Sequence, residues 1–203
     1  MSARTSVRRL DALAVGASAG GVEALSRVLR ALPAGWPAAL LIVLHLPRDR
    51  PSLLVDLFAP RCALRVVEAS DKEPILPGTA YFAPPDYHFL VEAGTRGEPP
   101  HAALSVDEPV QYSRPSIDVL FESVADVYGA RAAGAILTGA NGDGAAGLAA
   151  IRRAGGITFA QDPDEAYASA MPRAARDAGA AEFVLPLDGI VTRMQTLHEA
   201  VSP

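Results

Sequence analysis

The sequence has little cysteine, no long apolar run and no cluster of positive charge. Its single cysteine, Cys62, excludes an internal disulfide, and no spacing of Cys and His residues resembles a zinc site. The longest purely apolar run, residues 38–44, is far too short to span a membrane. A net charge of −5 and the lack of a short Lys/Arg-rich stretch argue against nucleic-acid binding. We therefore expect no metal site, no nucleic-acid partner and no stable membrane insertion.

The N-terminus has a weak likeness to a signal peptide. Arg4, Arg8 and Arg9 precede the apolar residues 12–19, which end in Ala-Ser-Ala, a small-residue sequence of the kind found at signal-peptide cleavage sites. Three features argue against a cleaved leader: Asp11 interrupts the stretch, leucine is scarce in it, and cleavage would remove a strand that the fold needs. We therefore expect a cytoplasmic protein.

The order of apolar and amphipathic segments predicts an α/β fold. Strand-like apolar runs alternate with segments whose apolar residues recur at helical spacing, which is typical of a mostly parallel sheet. We predict a doubly wound sheet with helices on both faces, formed by one domain over residues 1–203. The predicted strands are residues 10–15, 39–44, 64–67, 133–137, 157–160 and 183–185, and the predicted helices are residues 21–32, 51–58, 116–128, 144–154, one that starts at Pro172, and 188–201.

The middle of the chain breaks this alternation. Residues 71–113 are rich in proline and glycine and contain short alternating segments at 79–82, 88–92 and 102–106. Such segments are typical of β-ribbon rather than of strand–helix units. We therefore predict a small β-ribbon insertion around residues 79–106.

Three polar residues follow predicted strands directly: Ser18, His45 and Asp143. In open α/β sheets, ligands bind outside the carboxyl ends of the strands. Each residue also has a simpler interpretation, with Ser18 as a helix N-cap, His45 as an edge histidine satisfied by backbone, and Asp143 as a helix-start residue. Their coincidence at three strand ends favours a nucleophile, a base and an orienting carboxylate.

Residues 16–20 match the Gly-x-Ser-x-Gly pattern of a nucleophile elbow, in which small neighbours let a strand turn sharply into a helix. The position of the serine after the first strand and the chain order Ser, His, Asp differ from those of an ordinary α/β-hydrolase. The same glycines fit neither the Gly-x-Gly-x-x-Gly spacing nor the Walker pattern. The loop therefore indicates nucleophilic catalysis rather than nucleotide binding.

Six stretches together resemble the catalytic domain of the CheB-type chemotaxis protein-glutamate methylesterases. They follow the order of that family and cover roughly residues 10–190. The stretches are Val15-Gly-Ala-Ser-Ala-Gly-Gly, Leu44-His-Leu-Pro, Leu76-Pro-Gly-Thr-Ala-Tyr-Phe-Ala-Pro, Arg114-Pro-Ser-Ile-Asp-Val-Leu-Phe, Ile136-Leu-Thr-Gly-Ala-Asn-Gly-Asp-Gly-Ala-Ala-Gly and Ala170-Met-Pro.

The resemblance implies hydrolysis of γ-glutamyl methyl esters on the cytoplasmic helices of chemoreceptors, with deamidation of receptor glutamines in some members. It implies that Ser18 is the nucleophile, His45 the general base and Asp143 the residue that orients it. Backbone N–H groups of Ala19 and of the 139–142 loop, at Ala140, would hold the oxyanion. The resemblance implies no metal and no organic cofactor.

The chain also departs from the family. Its best-known members carry an N-terminal receiver domain, whereas only residues 1–9 precede the first predicted strand here, so we expect no phosphorelay control within the chain. Ala19 stands where some members have threonine, and Ala140 and Asn141 stand where many have methionine and glycine. We expect these changes to affect substrate preference and rate.

Arg114 has two interpretations: it contacts an acidic receptor helix as a substrate-binding residue, or it pins the turn before the helix at Ser116. The leading function is a protein-glutamate methylesterase that acts on methyl-accepting chemoreceptors as a monomer with transient contacts. Two other functions stay open on the sequence, a serine esterase or amidase with a non-chemotaxis substrate and a catalytically idle signalling scaffold.

Overall fold

Seven parallel strands form the main sheet. The computed structural model describes residues 9–46, 52–95 and 97–199. Along the described chain the strands are β1 (Ala12–Ala17), β2 (Ala39–Leu44), β3 (Arg65–Glu68), β4 (Thr79–Phe82), β5 (His88–Glu92), β6 (His101–Ser105), β7 (Ala132–Ile136), β8 (Ile157–Gln161) and β9 (Phe183–Leu185). The spatial order of the main sheet is β3-β4-β2-β1-β7-β8-β9, and each pair of neighbouring strands in it is parallel. The order runs outward in both directions from β1, so the predicted doubly wound α/β class is confirmed.

Helices cover both faces of this sheet, as predicted. They are α1 (Gly21–Ala31), α2 (Leu54–Phe58), α3 (Ile117–Tyr128), α4 (Ala145–Arg153), α5 (Ala170–Asp177) and α6 (Leu187–Glu199). Side chains of α1, α2 and α6 pack with one set of strand residues, which includes Leu13 and Val15. Side chains of α3, α4 and α5 pack with the alternate set, which includes Ala12 and Ala14. Successive strand residues point to opposite faces, and helices cover both faces. Every residue of β1 is therefore buried, which explains its continuous apolar sequence.

The ribbon is smaller than the three predicted segments. β5 and β6 pair antiparallel, with His88 opposite Ser105, and form the separate two-stranded sheet. The prediction that Thr79–Phe82 belongs to the ribbon is wrong, since this segment is β4 and lies parallel between β2 and β3. All four of its residues are buried, because it lies inside the main sheet. The prolines on either side of it favoured ribbon in the sequence, but they only terminate a short parallel strand.

Some element boundaries differ from the predicted ones. β1 begins and ends two residues later than the predicted strand 10–15, so it runs directly up to Ser18. The helix predicted from residue 51 is α2, and Pro51 itself lies outside the described residues. Residues 200 and 201 of the last predicted helix, and Arg4 and Arg8 of the N-terminus, also lie outside them. In the part of the chain that the structure describes, no helix combines the length and the apolarity that crossing a membrane requires.

Close backbone approach brings α3 to the carboxyl end of β1. A Cβ added to Gly16, near the end of β1, would lie 2.4 Å from Cγ2 of Ile117, the first residue of α3. Such a distance is far inside van der Waals contact, so only glycine fits here. The N-terminus of α3 therefore lies against the strand end that precedes Ser18.

Candidate active site

Ser18 lies on a sharp turn between β1 and α1. It follows Ala17, the last residue of β1, and its carbonyl accepts a hydrogen bond from the N–H of Gly21 at 2.8 Å. Gly20 has φ +78°, a left-handed conformation, and a Cβ there would lie 2.7 Å from Cβ of Tyr167. Gly20 is the N-cap of α1, and no side chain caps that helix. The N-cap interpretation of Ser18 is therefore wrong, and the turn has the strand–turn–helix form of an elbow.

His45 follows β2 as Ser18 follows β1. In the parallel register Ala17 is opposite Leu44, so the two residues leave neighbouring strands at the same level. The N–H of His45 donates to the carbonyl of Ala17 at 3.1 Å. The imidazole is 13% exposed, and its Nε2 lies 2.9 Å from Oδ2 of Asp143. Within the described residues no hydrogen bond joins the side chains of Ser18 and His45, as is common in an unliganded catalytic site.

Asp143 is fully buried and receives four hydrogen bonds. His45 Nε2 and the N–H of Ile117 donate to Oδ2 at 2.9 and 2.7 Å, and Ser116 Oγ and the N–H of Asp118 donate to Oδ1 at 2.8 and 3.1 Å. Burial raises the pKa of Asp143, but these four hydrogen bonds outweigh burial and hold the pKa below its ordinary value. The carboxylate is therefore ionised at neutral pH, and Nε2 of His45 carries the proton in their hydrogen bond.

The hydroxyl of Ser116 donates to Asp143, whereas the side chain of an N-cap residue normally accepts a hydrogen bond from its own helix. Ser116 has the extended N-cap conformation before α3, with φ −104° and ψ 140°, as predicted, but its side chain makes no cap hydrogen bond to its own helix. The first N–H groups of α3 bind the carboxylate of Asp143 instead. Asp143 therefore caps α3, whose first residue, Ile117, precedes it by 26 residues in the chain.

Asp118, in the first turn of α3, caps α4 in return. Its Oδ1 accepts a hydrogen bond from the N–H of Gly147 at 2.8 Å, and its Oδ2 accepts one from Nε2 of Gln111 at 3.0 Å. Burial, together with the negative charges of Asp143 and Glu122, raises the pKa of Asp118 despite the hydrogen bond from Gly147. The two helices thus exchange carboxylates at their N-termini, which sequence reasoning did not predict.

Thr138, two residues beyond the end of β7, holds the Ser18 turn on both sides. Its carbonyl accepts the N–H of Ser18 at 2.9 Å, and its Oγ1 donates to the carbonyl of Ala19 at 2.8 Å. The same Oγ1 accepts the N–H of Ala168 at 2.8 Å, and the N–H of Thr138 donates to Oε1 of Gln161 at 3.0 Å. Sequence reasoning missed this residue, although it lies in one of the stretches that carry the resemblance.

The backbone N–H of Ala19 is available to a ligand. The Ser18 carbonyl points to Gly21 inside the turn, and in a trans peptide the following N–H points the opposite way. Among the described residues, none accepts a hydrogen bond from the N–H of Ala19 or from that of Ala140. The oxyanion role of these two groups stays a prediction, and their geometry leaves them free for it.

Arg114 is held by its surroundings. Its Nε and Nη2 donate to Oδ1 of Asp86 at 3.0 and 2.8 Å, and its Nη1 donates to the carbonyls of Val106 and Asp107 at 2.8 and 3.1 Å. These bonds are those of a residue that pins the turn before α3. A contact between Arg114 and substrate stays a prediction.

Two hollows lie at opposite edges of the sheet. At the carboxyl edge a notch of about 80 Å³ opens beside His45. Its lining residues are His45, Leu46, Tyr112, Ser113, Arg114 and Pro115. A larger hollow of about 350 Å³ lies at the amino edge, where Tyr128 and Arg131 line it with several prolines. The candidate catalytic groups are all at the carboxyl edge, where parallel sheets bind ligands.

Comparison with known proteins gives one consistent result. The sequence model of the family "CheB methylesterase" matches residues 13–194. A Cereibacter sphaeroides protein named protein-glutamate methylesterase/protein-glutamine glutaminase 2 is 46% identical over 181 residues, which are 89% of this chain and 49% of that protein. A Leptospira interrogans protein, provisionally named for the same two activities, is 39% identical over 89% of this chain and 91% of its own.

A solved structure is similar over nearly the same extent. The Thermotoga maritima CheB methylesterase catalytic domain has a TM-score of 0.88 and 29% sequence identity, and the match covers 93% of this chain and 98% of that one. The chain spans about half the length of the Cereibacter relative and most of the length of the Leptospira one.

Proposed function

This chain belongs to the CheB methylesterase family, and on that premise we propose that it hydrolyses γ-glutamyl methyl esters on the cytoplasmic helices of methyl-accepting chemoreceptors. The observation that carries the proposal is the hydrogen bond between the partly buried His45 and the buried Asp143, beside a serine on a sharp turn. Relatives are named for both ester hydrolysis and glutamine deamidation, so we include deamidation of receptor glutamines in the proposal.

The roles follow from the hydrogen bonds of the imidazole. Asp143 is an ionised acceptor at Nε2, so His45 carries its proton there and presents Nδ1 as the base. As Oγ of Ser18 forms a bond to the ester carbonyl carbon, Nδ1 takes the hydroxyl proton. Asp143 stabilises the imidazolium that forms and does not itself take the proton.

The leaving group and the water then use the same base. The tetrahedral intermediate collapses, the bond from carbon to the methoxy oxygen breaks, and His45 gives its proton to that oxygen, so methanol leaves. Water next attacks the glutamyl ester of Ser18, loses a proton to His45, and releases a free glutamate side chain and the serine hydroxyl. With glutamine the same steps release ammonia.

The carbonyl oxygen becomes negatively charged when Ser18 attacks the ester and again when water attacks the glutamyl-enzyme, and at both steps hydrogen-bond donors must stabilise it. We assign this role to the N–H groups of Ala19 and Ala140, which have no acceptor among the described residues. One such donor is worth roughly 3 to 4 kcal/mol of transition-state stabilisation. Thr138 supports the assignment because its hydrogen bond fixes the Ala19 carbonyl and its own carbonyl fixes Ser18.

We also propose a cytoplasmic, monomeric protein with transient receptor contacts, since the substrate glutamates lie on cytoplasmic helices. Sedimentation of the purified protein, alone and with a receptor cytoplasmic fragment, tests the monomer. A stable dimer in the absence of receptor would contradict it.

The central experiment measures methanol release from a methylated receptor cytoplasmic fragment. Ser18→Ala should reduce the rate by roughly four to six powers of ten, as loss of a triad nucleophile does. Ser70→Ala is the matched control, because Ser70 is exposed and follows β3, at the far edge of the sheet. Ammonia release from an unmodified glutamine substrate tests the second activity with the same variants.

Two results would contradict the proposal in different ways. Hydrolysis of p-nitrophenyl acetate that depends on Ser18, without methanol release from any receptor fragment, would keep the esterase and discard the receptor substrate. Equal methanol release by the native protein and by Ser18→Ala would discard the assigned nucleophile.

A further inference from the structure

A tight turn at residues 110–113 carries an exposed aromatic side chain at the mouth of the site. The N–H of Val110 donates to the carbonyl of Ser113 at 3.1 Å, and the N–H of Ser113 donates to the carbonyl of Val110 at 2.8 Å. The two residues between them, Gln111 and Tyr112, have φ of +47° and +65°. Two central residues with positive φ define a type I′ turn, which normally carries Asn and Gly.

This backbone conformation is unfavourable for the residues that adopt it. A bulky aromatic residue with positive φ is uncommon, and neither Gln nor Tyr relieves the strain as glycine would. Such a conformation persists where surrounding contacts impose it, and it is concentrated at functional sites. Packing in the core does not explain a tyrosine at this position, since the residue is 99% exposed.

The neighbours of Tyr112 fix the turn to the catalytic framework. Gln111 Nε2 donates to Oδ2 of Asp118 at 3.0 Å, and Asn141 Nδ2 donates to Oγ of Ser113 at 3.4 Å. The N–H of Asp118 binds Asp143, so the turn is attached to the same helix end that holds the orienting carboxylate. The turn is therefore anchored on both sides of Tyr112.

Tyr112 is also close to the candidate base. It lines the notch of about 80 Å³ together with His45, Leu46 and Pro115. The notch admits a small group, but a protein segment that brings an ester to His45 must pass over its rim. Tyrosine is enriched at protein interfaces because its ring gives a large contact area with few rotatable bonds.

From the strained turn, its anchors and the notch, we propose that Tyr112 determines specificity for a protein substrate: its ring packs against the helical segment that bears the methyl ester and aligns that segment over His45. The inference rests on the proposed esterase function and adds to it the residue that distinguishes a receptor helix from a small ester. Tyr112 takes no part in the bond-breaking steps.

Three variants separate the ring from the backbone. Tyr112→Asn removes the ring and keeps the turn, because Asn tolerates positive φ. Tyr112→Phe keeps the ring, and Val184→Ala removes exposed apolar surface from β9, at the far edge of the sheet. Each is assayed for methanol release from a methylated receptor fragment, for hydrolysis of p-nitrophenyl acetate, and for Tm.

For Tyr112→Asn we expect KM for the receptor fragment to rise about tenfold with kcat within twofold, since binding common to the ground and transition states is lost. Tm should not fall, because Asn fits the turn better than Tyr, and kcat/KM for p-nitrophenyl acetate should stay within twofold. Tyr112→Phe, which keeps the ring, and Val184→Ala, which lies away from the site, should both keep KM for the receptor fragment within twofold of the native value.

Other results overturn the inference. A KM for Tyr112→Asn within twofold of the native value shows that the ring does not contact the substrate. An equal fall in turnover of both substrates shows that Tyr112 supports the catalytic framework instead. If the native protein hydrolyses p-nitrophenyl acetate but no receptor ester, the proposed function fails and this inference fails with it; an active native enzyme with an indifferent Tyr112→Asn overturns this inference alone.

Discussion

Asp143 and Asp118 occupy matching places at two helix N-termini, yet their pKa values move in opposite directions. Asp143 precedes α4 and caps α3, and Asp118 belongs to α3 and caps α4. Both carboxyls are buried. The pKa of Asp143 is lowered, whereas the pKa of Asp118 is raised.

The difference comes from the number of donors and from the neighbouring charge. Asp143 receives four hydrogen bonds, one of them from His45, and these overcome the cost of burying its charge. Asp118 receives fewer, from Gly147 and Gln111 with a weaker contribution from the backbone of Gly144, and faces the charge of Asp143. A helix N-terminus therefore does not by itself keep a buried carboxylate ionised; at Asp143 the full set of donors does.

The largest expected effect is a loss of activity on substitution of Asp143, which a substitution of Asp118 should not cause. Asp143→Asn should lower kcat for methanol release by about four powers of ten, because an amide at this position favours the wrong tautomer of His45. The amide NH₂ would also face donors of α3, so Tm should fall. Steady-state methanol release and thermal unfolding measure both. A loss of less than tenfold in kcat would show that Asp143 is only a helix cap.

The second variant makes Asp143 more like Asp118, with fewer hydrogen-bond donors and a higher pKa. Ser116→Ala removes one of the four donors to Asp143, and we expect a loss of about 2 kcal/mol of stability, typical for a hydrogen bond to a charged group. The pKa of Asp143 should rise, kcat should fall about tenfold, and the acid limb of the pH–rate profile should move to higher pH.

The control for this variant lies on the same helix. Ser123→Ala removes a hydroxyl of α3 that bonds Leu120 and Val91, away from the site. It should lower Tm while leaving kcat unchanged. If the two serine variants lose kcat equally, the loss reflects general damage to α3 rather than the hydrogen bond to Asp143.

The positions of the candidate catalytic residues were predictable, but their connections were not. Ser18, His45 and Asp143 each follow a strand, and parallel strands end at one edge of the sheet, so local pattern alone brings them together. The sequence likewise predicted the N-cap position of Ser116. The partner of its hydroxyl depends on how α3 and α4 pack, and nothing in the local pattern specifies that packing.

The errors have the same physical origin. Thr79–Phe82 has four residues between proline-rich segments, and only its burial between β2 and β3 makes it part of the main sheet. The turn at Gln111 and Tyr112 lacks the Asn-Gly signal that its backbone conformation normally requires. In both places tertiary contacts override local preference, and the second lies beside the candidate site.

A smaller effect appears in the pH dependence of stability. An ordinary aspartate has a pKa of 3.8, and the pKa of folded Asp118 is higher, so the folded state is favoured by its protonation. This contribution is fully present below the unfolded pKa and is lost as pH rises through the folded pKa. Asp143 has the opposite sign: its contribution is present above the unfolded pKa and is lost as pH falls through its lowered folded pKa.

Asp118→Asn tests that sign. The variant has no charge to bury, so its stability relative to the native protein should increase as pH rises from about 4 through the raised pKa of folded Asp118, and should level off above that pKa. Urea unfolding of both proteins between pH 3 and 8 measures the difference. A difference that does not vary with pH would show that Asp118 titrates normally in the folded protein.

The smallest expected effect is on catalysis by the same variant. The group of Asp118 that binds Asp143 is its backbone N–H, which Asp118→Asn retains. The new amide oxygen can still accept from Gly147, and Gln111 can rotate its own amide so that its oxygen accepts from the new NH₂. We therefore expect kcat within threefold of the native value. A loss above tenfold, with Tm unchanged, would mean that the Asp118 charge acts on the site, and the two carboxyls would then function as a coupled pair rather than as one catalytic and one structural group.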